Sequence, residues 1–137
     1  MNNRIIVYTD GSAIDNGSDK SRCGWAIKLI YRGRALPKSG SARGYTNNQM
    51  EMMAVFKAMT SITDKTIPVI VYSDSQYVVK TFNGEFAVGA NEAMWRQLMA
   101  EKEKFADITF EWVRGHGANE HNAEVDRLAF EAARNAV

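Results

Sequence analysis

The stretch RIIVYTDGS, from Arg4 to Ser12, runs from an apolar segment directly into an acidic residue and a glycine. The nearly unbroken apolar run from Ile5 to Tyr8 is typical of a strand at the centre of a sheet, buried on both faces. The residues after Thr9 have the composition of a loop, which places Asp10 at the end of that strand. Asp10 there either begins a turn or contributes to a site, and the positions of other carboxylates decide between the two.

The remainder of the chain supplies further strand and helix patterns. The predicted strands after the first cover residues 24–31, 34–42, 66–74 and 107–113, and the predicted helices cover residues 47–62, 75–82, 92–105 and a last segment whose apolar stripe includes Val125 and Leu128. The order βββαβααβα predicts an α/β sheet that opens with an antiparallel meander. With 137 residues, 45% of them hydrophobic, we expect one domain spanning residues 1–137.

The charges are unevenly distributed along the chain. The formal net charge is only +1, which by itself indicates no particular partner. Seven basic residues and no acidic residue lie between Lys20 and Arg43, whereas acids outnumber bases by 11 to 7 from Val69 onward. This separation is typical of a protein that grips a polyanion beside a cation site, or of an ordinary solvated hairpin rich in Lys and Arg.

Cysteine usage and hydropathy bound the environment of the protein. Cys23 is the only cysteine, so an intramolecular disulfide and a cysteine-based zinc site are excluded. We expect Cys23 to be a small buried side chain. No segment reaches the roughly 18 apolar residues of a membrane span, and the N-terminal apolar run is too short for a signal peptide. A cytoplasmic monomer without a membrane partner is therefore expected.

Four acidic residues stand at strand ends or near helix starts. Asp10 and Asp74 end two apolar strands, whereas Glu51 and Asp126 lie early in the first and last helices. If the first and fourth strands are parallel neighbours, Asp10 and Asp74 emerge at the same sheet edge, where α/β proteins place their sites. Each acid also has a purely structural explanation, namely a turn at Asp10, a helix cap at Asp74, a capping box of Asn48 with Glu51, and a solvated helix position at Asp126.

A cluster of four carboxylates has a definite chemistry. The groups repel one another near neutral pH unless they are protonated or neutralised by cations. An all-oxygen set favours Mg²⁺, with Mn²⁺ as an alternative, over Zn²⁺. Two such ions about 4 Å apart can activate a water and stabilise the leaving oxygen of a phosphodiester. The pattern therefore predicts metal-dependent hydrolysis of nucleic acid.

Four separated motifs resemble those of type 1 ribonuclease H, in the order and spacing of that family. They are YTDGS (8–12), TNNQMEMMA (46–54), YSDSQYV (72–78) and WVRGH, whose histidine precedes Asp126 by ten residues. The resemblance implies a ribonuclease H-like α/β fold, with a five-stranded mixed sheet whose first three strands are antiparallel and which is flanked by helices. It also implies an endoribonuclease that hydrolyses the RNA strand of RNA/DNA hybrids with two metal ions, leaving 5′-phosphate and 3′-hydroxyl ends.

The resemblance assigns roles to individual residues of this chain. The matching carboxylates Asp10, Glu51, Asp74 and Asp126 form the metal-binding catalytic set of the family. His116 matches a mobile histidine that assists product release or proton transfer, and the glycines on either side of it permit motion of its loop.

Further polar residues match positions that contact the hybrid. Recognition of RNA requires its 2′-hydroxyl, and amide side chains suit this task because they offer donors and acceptors together. The matching positions are Asn16, Asn47, Asn48 and Gln76, with Thr46 in a pocket for a DNA phosphate and Asn122 near the site, where it either serves the site or caps a helix. His121 has no counterpart and is expected at the surface, and Gly11 is expected to leave space for the RNA strand.

The chain also departs from the family pattern. The segment between YSDSQYV and MWRQL is short, whereas many bacterial members insert a basic helix there. Hybrid affinity should then rely on the stretch from Lys20 to Arg43 and on Lys80, and should depend strongly on salt. Phe86 either stacks against the DNA strand or anchors its own loop.

Three alternatives remain for the function. A non-catalytic hybrid-binding module would be expected to have lost one of the acids. A ribonuclease H domain of a reverse transcriptase is closer, although no flanking polymerase sequence is present. Exonucleases of the same fold open with Asp-x-Glu, and Ser12 at the second acidic position disfavours them.

Overall fold

The computed structural model describes residues 3–115 and 117–137. Within these ranges the strands are β1 (Ile5–Ile14), β2 (Arg22–Tyr31), β3 (Arg34–Arg43), β4 (Val69–Ser73) and β5 (Ile108–Trp112). The helices of the same ranges are α1 (Asn47–Ser61), α2 (Gln76–Phe82), α3 (Glu92–Lys102) and α4 (Glu120–Arg134). The order βββαβααβα predicted from the sequence is confirmed.

The described strands form one mixed sheet in the order β3-β2-β1-β4-β5. β1, β2 and β3 are antiparallel neighbours, joined between β2 and β3 by a tight turn in which Arg32 and Gly33 both have positive φ. β4 pairs in parallel with β1, and β5 in parallel with β4. This arrangement confirms the predicted five-stranded mixed sheet, whose first three strands are antiparallel.

β1 is longer than predicted, because it continues past Thr9 to Ile14. Its first half pairs with β4 over Ile5–Thr9 and with β2 from Ile6 onward, and the parallel pairing with β4 stops at Thr9 opposite Ser73. Its second half pairs only with β2, which supplies partners for residues that have the composition of a loop. Asp10 therefore lies inside β1, at the point where the parallel part of the sheet ends.

Helices cover both faces of the sheet. α1, α2 and α3 pack on one face over the larger core, which includes Val7, Met52 and Trp95. α4 packs on the other face, where Tyr8 and Val125 belong to a smaller cluster. The predicted burial of Cys23 is confirmed, since its side chain is fully buried.

α4 approaches the sheet closely at Gly24 on β2. A Cβ atom added to Gly24 would lie 2.1 Å from the carbonyl oxygen of Ala129 and 2.6 Å from the amide nitrogen of Ala133. Only a glycine leaves room for a helix at this distance. The contact fixes where α4 crosses the sheet, and therefore where Asp126 lies along it.

Within residues 3–115 and 117–137, no helix has the combination of length and apolar character that crossing a bilayer requires.

Candidate active site

α1 begins beside β1 because Thr46 caps it. Thr46 Oγ1 accepts from the Gln49 amide at 3.1 Å, and Gln49 Oε1 accepts from the Thr46 amide at 2.9 Å, which completes a capping box. The proposed box of Asn48 with Glu51 is therefore wrong, although its spacing is identical. The Glu51 side chain is not needed at the cap and is 7% exposed, turned towards the sheet.

Gly11 allows α1 to reach β1. A Cβ atom at Gly11 would lie 2.3 Å from the carbonyl carbon of Met50 and 2.4 Å from the amide nitrogen of Glu51. The expectation that Gly11 clears space for an RNA strand is wrong, because α1 itself fills that space. The Gly11 amide donates to Glu51 Oε1 at 2.8 Å and to Asp10 Oδ1 at 2.9 Å, so one N–H group holds both carboxyl groups.

Asp74 follows β4 and is held from the side of β5. It does not cap α2, since the cap is Ser75, whose hydroxyl accepts from the Val78 amide at 3.2 Å. The Trp112 indole N–H donates to the Asp74 carbonyl oxygen at 3.1 Å. A Cβ atom at Gly115 would lie 3.2 Å from Asp74 Oδ2, so the glycine leaves space for this carboxyl group.

The structure brings three of the four predicted acids into one group. Asp10, Glu51 and Asp74 each offer a carboxylate oxygen within 4.8 Å of the other two. Asp10 and Glu51 are buried and Asp74 is half-buried, whereas Asp126 on α4 is exposed. Asp126 stands beside this group, close enough to Asp10 to raise its pKa.

The group is electrostatically unfavourable without a cation. Burial raises the pKa of Asp10 far above its ordinary value, and the negative charges of Glu51 and Asp74 raise it further. The pKa of Glu51 is raised to about 8, first by burial and then by the negative charge of Asp74. Hydrogen bonds with Asp10 and Gly11 oppose this rise. Without a cation, protons on Asp10 and Glu51 relieve the repulsion between the closely spaced carboxylate oxygens. A divalent cation with a preference for oxygen fits the same donor set.

The raised pKa values predict how pH affects the metal-free protein. Folding raises the pKa of Glu51 from 4.5 to about 8 and raises that of Asp10 as well. These raised pKa values therefore stabilise the folded state fully below about pH 4, and the stabilisation is lost as the pH rises through the pKa values of the folded state. In EDTA we expect the unfolding temperature, measured by circular dichroism, to fall by at least about 5 °C between pH 5.5 and 8.5. Added Mg²⁺ should raise it more at pH 8.5 than at pH 5.5. An unfolding temperature that rises with pH over this range would contradict the prediction.

The polar residues that the sequence assigned to substrate binding lie mostly at the starts of α1 and α2, close in sequence to the acids Glu51 and Asp74. The backbone N–H of Asn47 donates to Asn16 Oδ1 at 2.7 Å, and the backbone N–H of Ala13 donates to Asn47 Oδ1 at 3.2 Å. These bonds tie the end of β1 and the loop after it to the start of α1. Asn48 and Gln76 are exposed in the first turns of α1 and α2. Thr46 is half-buried and its hydroxyl serves the cap.

The start of α4 differs from the sequence expectations. Asn119 is its cap and accepts from the Asn122 amide at 3.0 Å, so Asn122 is not the cap. The Asn122 side chain is 3% exposed, and its Oδ1 has no hydrogen-bond partner among the described residues. His121 is half-buried and not at the surface, because its ring packs on Tyr8 with 5.0 Å between centroids. His116 lies outside the described residues.

The basic stretch divides between the two ends of the β2–β3 hairpin. Arg22 and Arg43 pair at the end that adjoins the end of β1 and the start of α1, whereas residues 32–34 form the opposite end. At about 3.3 Å per residue the two ends are about 30 Å apart. Between them Lys28 Nζ forms an ion pair with Glu124 Oε1 at 2.6 Å. The first end adjoins Asn16 and the start of α1, so a polyanion bound there can reach both.

Sequence reasoning missed several groups that shape the site. The Gly11 amide and the Trp112 indole had no recognisable signal, because each acts through a contact with a residue distant in the chain. Gln49 had one, since the spacing of Thr46 and Gln49 is that of a capping box.

Known proteins resemble this chain along nearly its whole length. The family model described as RNase H matches residues 2–134. Ribonuclease H of Chromobacterium violaceum is 36% identical over 139 residues, which cover 92% of each protein. Among solved structures, LC11-RNase H1, isolated from compost, has a TM-score of 0.81 at 25% identity over 96% of both chains. A complex of LC11-RNase H1 with an RNA/DNA hybrid has a TM-score of 0.79 at 24% identity, covering 95% of this chain and 96% of that chain.

Proposed function

Because the chain belongs to the ribonuclease H family, we propose that it is an endoribonuclease that hydrolyses the RNA strand of RNA/DNA hybrids. The observation that carries the proposal is the convergence of Asp10, Glu51 and Asp74, whose carboxylate oxygens lie within 4.8 Å of one another. The presence of an RNA/DNA hybrid in the structure of the similar LC11-RNase H1 supports the substrate. The intact cluster of three acids disfavours a module that only binds hybrids, because such a module would be expected to have lost one of them.

The carboxyl groups would hold two divalent ions, with Mg²⁺ preferred and Mn²⁺ as an alternative. When bound, such ions activate a water for attack on phosphorus and stabilise the leaving oxygen, so that the products carry 5′-phosphate and 3′-hydroxyl ends. The chain itself supplies rigid placement, since the Gly11 amide holds Asp10 and Glu51 together and Trp112 holds the backbone of Asp74. The assistance of His116 in proton transfer or product release stays a prediction.

Recognition of the hybrid would use the exposed starts of α1 and α2. The side-chain oxygens of Asn16 and Asn47 already accept backbone N–H groups, which leaves their NH₂ groups to donate to the minor groove. Asn48 and Gln76 are exposed and offer complete amides to base edges and 2′-hydroxyl groups. The positive ends of the helix dipoles add a favourable field for phosphates.

One experiment tests the proposal directly. The protein is incubated with labelled RNA/DNA, RNA/RNA and DNA/DNA duplexes, each with Mg²⁺ or with EDTA, and the products are separated on a denaturing gel. We expect cleavage of the RNA strand of the hybrid alone, with no cleavage in EDTA. Equal cutting of DNA duplex, or hybrid binding without cutting, would overturn the proposed function.

The basic end of the hairpin that adjoins the start of α1 should contribute to hybrid affinity. The Arg43 guanidinium donates to the Lys20 carbonyl oxygen at 3.2 Å, which fixes this end of the basic stretch. We expect Arg43→Ala to weaken hybrid binding and to reduce the slope of log K against log salt by about 1, the effect of one lost phosphate contact. Fluorescence anisotropy over a salt series in EDTA measures both.

The matched control is Arg34→Ala, at the far end of the same hairpin. It removes an equal charge about 30 Å along the strand, beyond the screening length at ordinary salt. Equal losses for Arg43→Ala and Arg34→Ala would show that the charge acts through the net field and not through local contact.

A further inference from the structure

Asn91 begins α3 but does not cap it. It is the N-cap residue, in the left-handed conformation with φ 58° and ψ 37°, and its side chain makes no hydrogen bond to its own helix. An N-cap asparagine ordinarily accepts an N–H of the first turn. Here Oδ1 accepts from Gln49 Nε2 at 3.1 Å, and Nδ2 donates to the Tyr77 hydroxyl at 3.2 Å. The side chain therefore connects α1 to α2 instead of capping α3.

Both ends of this connection are fixed. On the α1 side, Gln49 Oε1 accepts from the backbone N–H of Thr46. The side-chain amide of Gln49 therefore completes the capping box of α1 and also donates to Asn91. On the α2 side, the Tyr77 hydroxyl also accepts from the Trp95 indole N–H at 2.9 Å, and Trp95 is 1% exposed. We call Gln49, Asn91 and Tyr77 the amide bridge.

The amide bridge lies directly behind two exposed residues. Asn48 precedes Gln49 on α1, and Gln76 precedes Tyr77 on α2. Both Asn48 and Gln76 are exposed, whereas Gln49 and Tyr77 are half-buried. The bridge thus joins the inner sides of two helix starts whose outer sides offer amides to one ligand.

We propose that Gln49, Asn91 and Tyr77 are positioning residues that fix the spacing between the Asn48 and Gln76 amides for one nucleic-acid strand. The inference rests on the proposed function, in which both amides contact the same hybrid. Two groups on separate helices recognise a rigid duplex well only when their separation is set before binding. Without the bridge, each binding event must order the two helix starts, and the hybrid binds more weakly.

A purely structural role for Tyr77 has a different signature. If the hydroxyl served only as partner to the buried Trp95 N–H, its loss would lower stability and leave substrate affinity unchanged. The position of Asn91 speaks for the bridge, because its amide contacts Gln49 and Tyr77 and not Trp95.

Steady-state kinetics on a labelled RNA/DNA hybrid with Mg²⁺ separate the two roles. Tyr77→Phe removes only the hydroxyl, and we expect KM to rise about tenfold with kcat within about twofold of the unmodified protein. Asn91→Gly retains a residue that accepts positive φ and removes the bridging amide, so KM should rise similarly. The double variant should be no worse than the single ones, because each breaks the same connection.

The matched control is Tyr31→Phe, which removes a hydroxyl that donates to Asn3 Oδ1 at 2.7 Å, far from the helix starts. Its KM should equal that of the unmodified protein. If the unmodified protein cleaves the hybrid and both Tyr77→Phe and Asn91→Gly keep its KM, the inference is overturned and the proposed function stands. If the unmodified protein neither binds nor cleaves the hybrid, the proposed function fails and the inference fails with it.

Discussion

Asp10→Asn should lower kcat for hybrid cleavage by on the order of 10³-fold or more while leaving hybrid affinity nearly unchanged. Asp10 lies among the other acids: the Gly11 amide joins it to Glu51, and Asp74 and Asp126 both stand close enough to raise its pKa. An amide has the same shape but carries no negative charge, so the donor set for divalent ions loses its central member. Single-turnover cleavage and anisotropy measurements in EDTA separate the two effects.

The same substitution should stabilise the metal-free protein at neutral and higher pH. Burial and neighbouring charges raise the pKa of Asp10, which means that its ionised form is unfavourable in the folded state. Asparagine removes that cost, so the pH dependence of unfolding in EDTA should flatten. Asp107→Asn is the control, since Asp107 is exposed just before β5, at the opposite end of the sheet. A kcat of Asp10→Asn within about tenfold of the unmodified protein would exclude a central role for this carboxylate.

Gly11→Ala should destabilise the protein by about 3–5 kcal/mol, one of the largest effects expected of a single methyl group. The added Cβ atom would lie 2.3–2.5 Å from three backbone atoms of Met50 and Glu51. Backbone atoms of a capped helix cannot turn aside as a flexible side chain can, so α1 must move away from β1. Glu51 moves with it and leaves the Gly11 amide, and hydrolysis should be lost even at temperatures where the variant is folded.

Urea unfolding and cleavage assays at low temperature check both parts of this prediction. Gly89→Ala is the matched control, because nothing lies within 4 Å of its added Cβ atom and its φ is not positive. It should change the free energy of unfolding by less than about 0.5 kcal/mol. A loss of less than 1 kcal/mol for Gly11→Ala would mean that α1 can shift freely without affecting the site.

Local patterns in the sequence predicted the order of the elements and the meeting of Asp10 with Asp74. Both follow from periodicity and from parallel strands that end at a common edge. The true end of β1 was not predictable in this way, because residues 10–14 are extended only through pairing with β2. The cap of α1 was ambiguous, because Thr46 with Gln49 and Asn48 with Glu51 have the same spacing. The approach of Glu51 to β1 decides between them, and that contact spans forty residues.

The position of Asp126 was the least predictable feature of the site. Its place near the start of a helix was evident from the sequence, but its distance from the other acids depends on where α4 crosses the sheet. That crossing is set by the contact of Gly24 with Ala129, between residues more than a hundred positions apart. His121 was misplaced for the same reason, since its packing on Tyr8 follows from the position of α4.

The two close approaches at Gly11 and Gly24 have a consequence for engineering. These glycines lie on adjacent strands and admit one helix from each face of the sheet, α1 at Gly11 and α4 at Gly24. Grafting Asp10, Glu51, Asp74 and Asp126 onto another α/β scaffold would therefore fail unless both glycines were transferred as well, because Gly11 places Glu51 and Gly24 places Asp126. Such a site requires positions without a side chain as much as it requires acidic residues. A design that copies only the acids would reproduce the charges of the site but not its geometry.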